Sequence, residues 1–302
     1  MTFISILLIS ISVFAHVLWN LLSKQQNPTG AFFLLATTAA VLCLLPGFWI
    51  FREGFIQISP LVWFFVFITG LFQAIYYIGL AAAYRQGDMS LAYPLVRAIP
   101  VLLITICNFI FGRGEQIGEA GLAGILIVAF GCLILPMQEF NSLSIRNYLS
   151  KCYLFSVFAA IGTCGYTLVD DEALRQLRHT LQHAFSTTQI TLFYILLQTF
   201  STWIALLLFV SVSKTERRQL QKVWFQARRQ AVMSGIIITS AYGLVLASMA
   251  YVSNVSYVAA FRQLSIPLGA VIAIFAFKEP AQIPKLTGIS IVFGGLILVA
   301  LG

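Results

Sequence analysis

Apolar runs recur ten times along the chain, each close to 20 residues long and set off by short polar breaks. They span 2–22, 29–51, 60–84, 90–111, 118–136, 148–169, 188–212, 231–252, 256–277 and 283–301. A helix needs about 20 mostly apolar residues to cross a bilayer core. The pattern predicts an all-α polytopic membrane protein with ten transmembrane helices. Most connections are short and carry charge, Pro or Gly. Two are longer. Residues 170–187 are polar and mixed in charge, which predicts a loop. Residues 214–230, KTERRQLQKVWFQARRQ, hold six basic side chains around Val223, Trp224 and Phe225. That mixture predicts a helix lying in the headgroup layer.

The polar positions inside the runs repeat. Residues 90–115, SLAYPLVRAIPVLLITICNFIFGRGE, are echoed by 255–279, VSYVAAFRQLSIPLGAVIAIFAFKE. Each stretch carries one arginine near its start, Arg97 or Arg262. A proline follows, Pro100 or Pro267, and a glutamate ends it, Glu115 or Glu279. Nine residues further on, both halves read G-I-x-I-V-x-x-G, from Gly124 to Gly131 and from Gly288 to Gly295. A shared Arg, Pro, Glu and glycine helix in one order predicts duplication, with halves 1–137 and 138–302. Five spans per half is an odd number, so the second half enters the membrane from the opposite side. Inverted repeats of this kind recur among secondary transporters, whose substrate site lies near the midplane between the halves.

Composition narrows the class. Hydrophobic residues make up 60% and charged residues 9% of the chain, against about 25% charged in a soluble domain. The formal charge of +8 fits loops facing anionic headgroups and does not point to nucleic acid. The five cysteines form no C-x-x-C and read as small buried hydrophobes. All ten acids fall at predicted span ends or in loops, so no carboxylate is expected mid-span. The chain holds no G-x-S-x-G, no H-E-x-x-H and no Gly-rich phosphate loop. An enzyme is not expected, nor a cofactor or a metal.

The order of several short motifs resembles the drug/metabolite transporter superfamily, in its EamA-type branch. They are A-H-V-L-W-N-L-L-S-K (Ala15–Lys24), A-Y-P-L-V-R (Ala92–Arg97), Gly114-Glu115, Y-T-L-V-D (Tyr166–Asp170), and Arg262 followed by Lys278-Glu279. The resemblance covers essentially the whole chain. It departs at Gln263-Leu264-Ser265, where similar proteins often carry an acid after the arginine. The resemblance implies secondary transport of a small metabolite, such as an amino acid or organic anion, often in the export direction. It also implies a multi-pass protein of the plasma or bacterial inner membrane, with a cavity lined by the first, third, fourth, sixth, eighth and ninth spans. On those spans the candidate substrate-binding residues are Trp19, Asn20, Tyr77, Tyr93, Arg97, Tyr166, Tyr242, Arg262 and Gln263. The alternative is a non-transporting membrane scaffold or sensor, which would not require repeated cationic positions inside the spans.

Each candidate also has a structural reading. Tyr93 and Arg97 are four apart and share a helix face. Pro94 and Pro100 bracket the arginine and either free carbonyls at a cavity or only kink the helix. Arginine is suited to a carboxylate or phosphate, yet one near a span end can snorkel to the interface. Gly124, Gly131, Gly288, Gly294 and Gly295 let helices approach closely, as a seam between the halves or between two copies in a homodimer. Basic residues number 12 on loops after odd spans and four on the side of the termini. The charge rule therefore places the termini outside, whereas the resemblance implies cytoplasmic termini.

Overall fold

The computed structural model describes residues 1–24, 28–86, 89–134, 137, 151–277 and 282–302. The side chains of 20–24, 89–95, 97, 273, 276 and 277 lie outside this set. All regular structure among the described residues is helical. The first half holds α1 (Phe3–Lys24), α2 (Gly30–Leu44), the short α3 (Pro46–Ile50) and α4 (Arg52–Gln57), α5 (Pro60–Gln86), α6 (Met89–Ile110) and α7 (Glu119–Ile134). The second holds α8 (Lys151–Leu181), α9 (Thr187–Val212), α10 (Lys214–Gln226), α11 (Arg228–Ser248), α12 (Val255–Phe261), α13 (Ser265–Phe277) and α14 (Ile283–Leu301).

Six of these stretches are long and apolar enough to cross a membrane: α5, α8, α9, Arg228–Tyr251, Val255–Ile272 and α14. Shorter apolar stretches fill α1, α2, α6 and α7. Large apolar side chains such as Phe14, Phe67, Leu208 and Ile297 are more than half exposed. An apolar exterior of this extent suits lipid, not water, so the chain is a membrane-embedded helical protein.

Local sequence sets the helix ends. Ser186 and Gln189 close a capping box at the start of α9. Thr29 caps α2, Ser213 caps α10 and Asn254 caps α12. The α10 residue Glu216 donates its own N–H to Ser213 Oγ at 3.3 Å and accepts the Ala31 N–H on its carboxylate at 3.0 Å, which ties the N-termini of α10 and α2 together. Gly112, with φ of 71°, ends α6 in the left-handed conformation. There the Arg113 N–H donates to the Asn108 carbonyl at 2.7 Å and the Gly112 N–H to that of Phe109 at 3.1 Å, a Schellman closure.

The packing comes in matched couples. α1 lies along α11 as α5 lies along α8, and α2 lies along α11 as α9 lies along α5. α2 and α9 meet each other, and so do α7 and α14. The last pair is antiparallel: Gly121 meets Gly302, Gly124 meets Val299 and Gly131 meets Val292. The approach is close. A Cβ on Gly124 would lie 2.7 Å from the Gly295 carbonyl oxygen, and one on Gly295 would lie 2.9 Å from that of Gly124. Gly121, Gly124, Gly131 and Gly295 therefore join two helices of one chain.

Two expectations are corrected here. Residues 170–187 are not a loop: α8 continues through Asp170 to Leu181. Its last three turns are amphipathic, with Ala173, Leu174, Leu177 and Leu181 buried and Arg175 and His179 exposed. In consequence a carboxylate, Asp170, does stand within a spanning helix.

Candidate functional site

Asp170 is fully buried, at 0% exposure. A lone charge there would be untenable, since burying an unpaired carboxylate costs many kcal/mol. Three hydroxyls from three other helices meet it. Thr69 Oγ1 on α5 donates to Oδ1 at 2.5 Å, and Tyr194 OH on α9 donates to the same oxygen at 2.6 Å. Tyr242 OH on α11 donates to Oδ2 at 2.5 Å. The Arg262 guanidinium adds its field: its Cζ sits 5.4 Å from the centre of the Tyr242 ring, and its charge acts on the Asp170 carboxylate. The two charges communicate across Tyr242 and form no contact ion pair.

Arg262 stands at a helix break. α12 ends at Phe261, residues Arg262–Leu264 tighten into one 3₁₀ turn, and α13 restarts at Ser265. Pro267 removes the N–H that would otherwise bond the Gln263 carbonyl. A 3₁₀ turn inside a helix often marks a hinge. Here it carries two buried polar side chains with unmet capacity. Arg262 Nε and Gln263 Oε1 have no hydrogen-bond partner among the described residues, although the residues are only 8% and 5% exposed. The Gln263 amide is oriented by its Nε2, which donates to the Ala259 carbonyl at 2.8 Å, so Oε1 is the atom left over. Both residues line a small cavity, together with Tyr76, Thr163, Tyr166 and Pro100. A free donor beside a free acceptor can hold a ligand that presents an acidic group next to an N–H or O–H.

A second small cavity lies beyond the tyrosines. Thr37, Gln73, Gln198, Thr199, Thr202 and Thr239 give it an uncharged polar wall, and Tyr77 and Tyr242 close one side. The rings of Tyr77, Tyr76, Tyr166 and Tyr242 follow one another in that order, with successive centroids 5.2 to 5.8 Å apart, and form an aromatic partition between the cavities.

One end of the bundle is closed by polar contacts. Arg113, just beyond α6, pairs with Asp171 at 3.4 Å and with Glu172 on α8. Its carbonyl accepts from Asn254 Nδ2 at 3.2 Å. Tyr257 OH accepts the Gly118 N–H at 2.8 Å and donates to the Gly302 oxygen at 3.3 Å. Thr2 Oγ1 donates to the Tyr251 carbonyl at 2.9 Å. These bonds tie together the start of α1, the end of α6, α8, the α11–α12 junction and the end of α14.

No family model and no curated protein matches the chain. The fold, however, is shared. One solved crystal structure of a protein aligns over 98% of this chain and 97% of its own, with a TM-score of 0.63 and 16% identity. At that identity the likeness speaks for the fold alone.

Of the residues singled out from sequence, Tyr166, Arg262 and Gln263 line the first cavity, and Tyr77 and Tyr242 line the second. Trp19 lines neither; it is 2% exposed in a cluster with Phe32, Phe33 and Tyr77. The side chains of Asn20, Tyr93 and Arg97 lie outside the described residues, as do Lys278 and Glu279. Tyr257, which falls on a span expected to line the cavity, points instead to the closed end. Thr69, Asp170 and Tyr194 were not anticipated. The run Y-T-L-V-D offered a signal, because Tyr166 and Asp170 are four apart on one helix face.

Proposed function

We propose that this chain is a secondary carrier of the EamA-type drug/metabolite transporter kind, moving a small anionic metabolite by alternating access. Amino acids and organic anions are the leading classes, and export is the leading direction. The membrane is the plasma membrane or the bacterial inner membrane. The observation that carries the reading is Arg262: a buried guanidinium with an unpaired Nε, on a broken helix, facing a cavity. Broken helices around a central cavity are a recurring way for transporters to present polar groups to a solute. The matched couples of packed helices and the antiparallel α7–α14 seam support ten spans arranged as two inverted halves of five. Closure at one end of the bundle supports an occluded or one-sided state of such a cycle.

The test combines binding with transport. Amino acids, organic anions and sugar phosphates are screened by thermal shift on the purified protein, since a ligand of the folded state raises its melting temperature. Hits are then followed into proteoliposomes without ATP. Arg262→Gln, as a variant that still folds, should abolish both uptake and the ligand-induced rise in melting temperature. Full activity in that variant would sink the role given to Arg262, and strict ATP dependence would sink the carrier.

A further inference from the structure

We infer that Asp170 carries one proton across the membrane together with each anion, which makes the carrier an electroneutral proton–anion cotransporter. The inference rests on the carrier reading and on three observations of the site.

The first is the charge balance. Arg262 is the one charged side chain among the described residues lining the two cavities. Asp170, one hydrogen bond behind the wall, offsets it. With both ionised, the described part of the empty site is neutral. A monoanion docking on Arg262 takes the buried site to −1, and uncompensated charge at membrane depth is costly. A proton on Asp170 restores neutrality.

The second is the surroundings of Asp170. From α5 it meets Thr69, from α9 Tyr194, from α11 Tyr242, and from the helix break the charge of Arg262. On α8 itself, Asp171 and Glu172 are engaged by Arg113 and Arg175. On α4, Arg52 and Glu53 are solvent-exposed, and on α12 Tyr257 is turned to the closed end. On α6, the Arg97 side chain lies outside the described residues. Arg262 is thus the described cation that faces Asp170 across Tyr242, and it is also the group an anion would occupy.

The third is the path. Tyr242 lines the second cavity and donates its hydroxyl proton toward Asp170 Oδ2. Tyr242 passes that proton to Asp170 and is reprotonated by hydronium reaching the cavity from the acidic side, which leaves neutral water behind. One proton enters with one anion, no bond to carbon changes, and both leave on the opposite side. The hydroxyls of Thr69 and Tyr194 stay on Oδ1 throughout.

The probe is radiolabelled benzenesulfonate, which is anionic at every accessible pH and does not cross a bilayer unaided. Proteoliposomes of the full chain are given either a pH gradient at zero voltage or a potassium diffusion potential at equal pH. The wild type should accumulate the probe about tenfold per unit of pH gradient and ignore the voltage. Asp170→Asn should lose the response to pH and follow the voltage instead. Where Asp170→Asn does not fold, Tyr242→Phe keeps the ring and should slow the pH-driven uptake several-fold. Wild-type uptake that follows voltage alone overturns the coupling and leaves the carrier standing, as does Asp170→Asn uptake that still follows pH. Absence of wild-type uptake overturns the anion reading of the site and the coupling with it.

Discussion

Two seams hold this molecule together in opposite ways. Between α5, α8, α9 and α11 the contact is polar: one carboxylate accepts from three hydroxyls on three neighbouring helices. Between α7 and α14 it is apolar and close, with bare backbone against bare backbone at Gly124 and Gly295. The first is directional and holds a charge where charge is expensive. The second depends on shape alone and carries no group that could bind or titrate. A glycine seam tolerates no added bulk, whereas the carboxylate seam is sensitive to chemistry at constant bulk. The first therefore offers chemistry that the second lacks, and the second serves as its frame.

The largest break should come at the polar seam. Asp170→Ala leaves three buried hydroxyls without their acceptor and Arg262 without its counter-charge. Loss of one partner of a buried charged set costs about 3–5 kcal/mol. The folded fraction in denaturant titration should fall accordingly, whereas Tyr194→Phe, which removes one donor, should lose about 1.5–3 kcal/mol. Equal losses in the two variants would mean that Tyr194 alone carries the cluster.

The apolar seam should break by size. Gly124→Val drives a side chain into the Gly295 carbonyl and should cost about 1–3 kcal/mol. Gly294→Ala is the control one residue from the contact, because a Cβ there meets nothing within 4 Å. It should stay within about 0.5 kcal/mol of wild type. Matching melting temperatures for the two would refute close packing as the basis of this seam.

The smallest effect belongs to the closed end. The Arg175 side chain is 47% exposed in its pair with Asp171. Arg175→Ala should change stability by under about 1 kcal/mol, and less at high salt. Arg113 is more enclosed, at 26%, so its removal should exceed that of Arg175 in the same titration.

Much of the helical layout was legible because ten apolar runs leave little choice of element. The glycine seam was legible as a feature but not in its pairing, since a small-residue stripe does not state which helix it meets. The extent of α8 was missed for a definable reason. Hydropathy falls at Asp170, and the polar run that follows reads as loop unless its periodicity is checked. Ala173, Leu174, Leu177 and Leu181 follow helical spacing, which extends the helix and brings Asp170 inside it. The partners Thr69 and Tyr194 stand on other spans, and no local pattern announces a contact across 101 residues of chain. The break at Arg262 was foreshadowed by Pro267. Yet α6 runs unbroken past Arg97 with two prolines of its own, so proline by itself does not decide where a helix parts.

The antiparallel α7–α14 pair also has a consequence in time. α7 leaves the ribosome well before α14, with α8 to α13 made between them. Until α14 follows, the groove at Gly121, Gly124 and Gly131 faces lipid or whatever helix happens to be near. Domains are completed in the order of synthesis, but here the first half cannot finish before the second has been inserted. Biogenesis therefore has a single late closing event, and a chain stalled before residue 283 would present an unfilled groove to the quality-control machinery of the membrane.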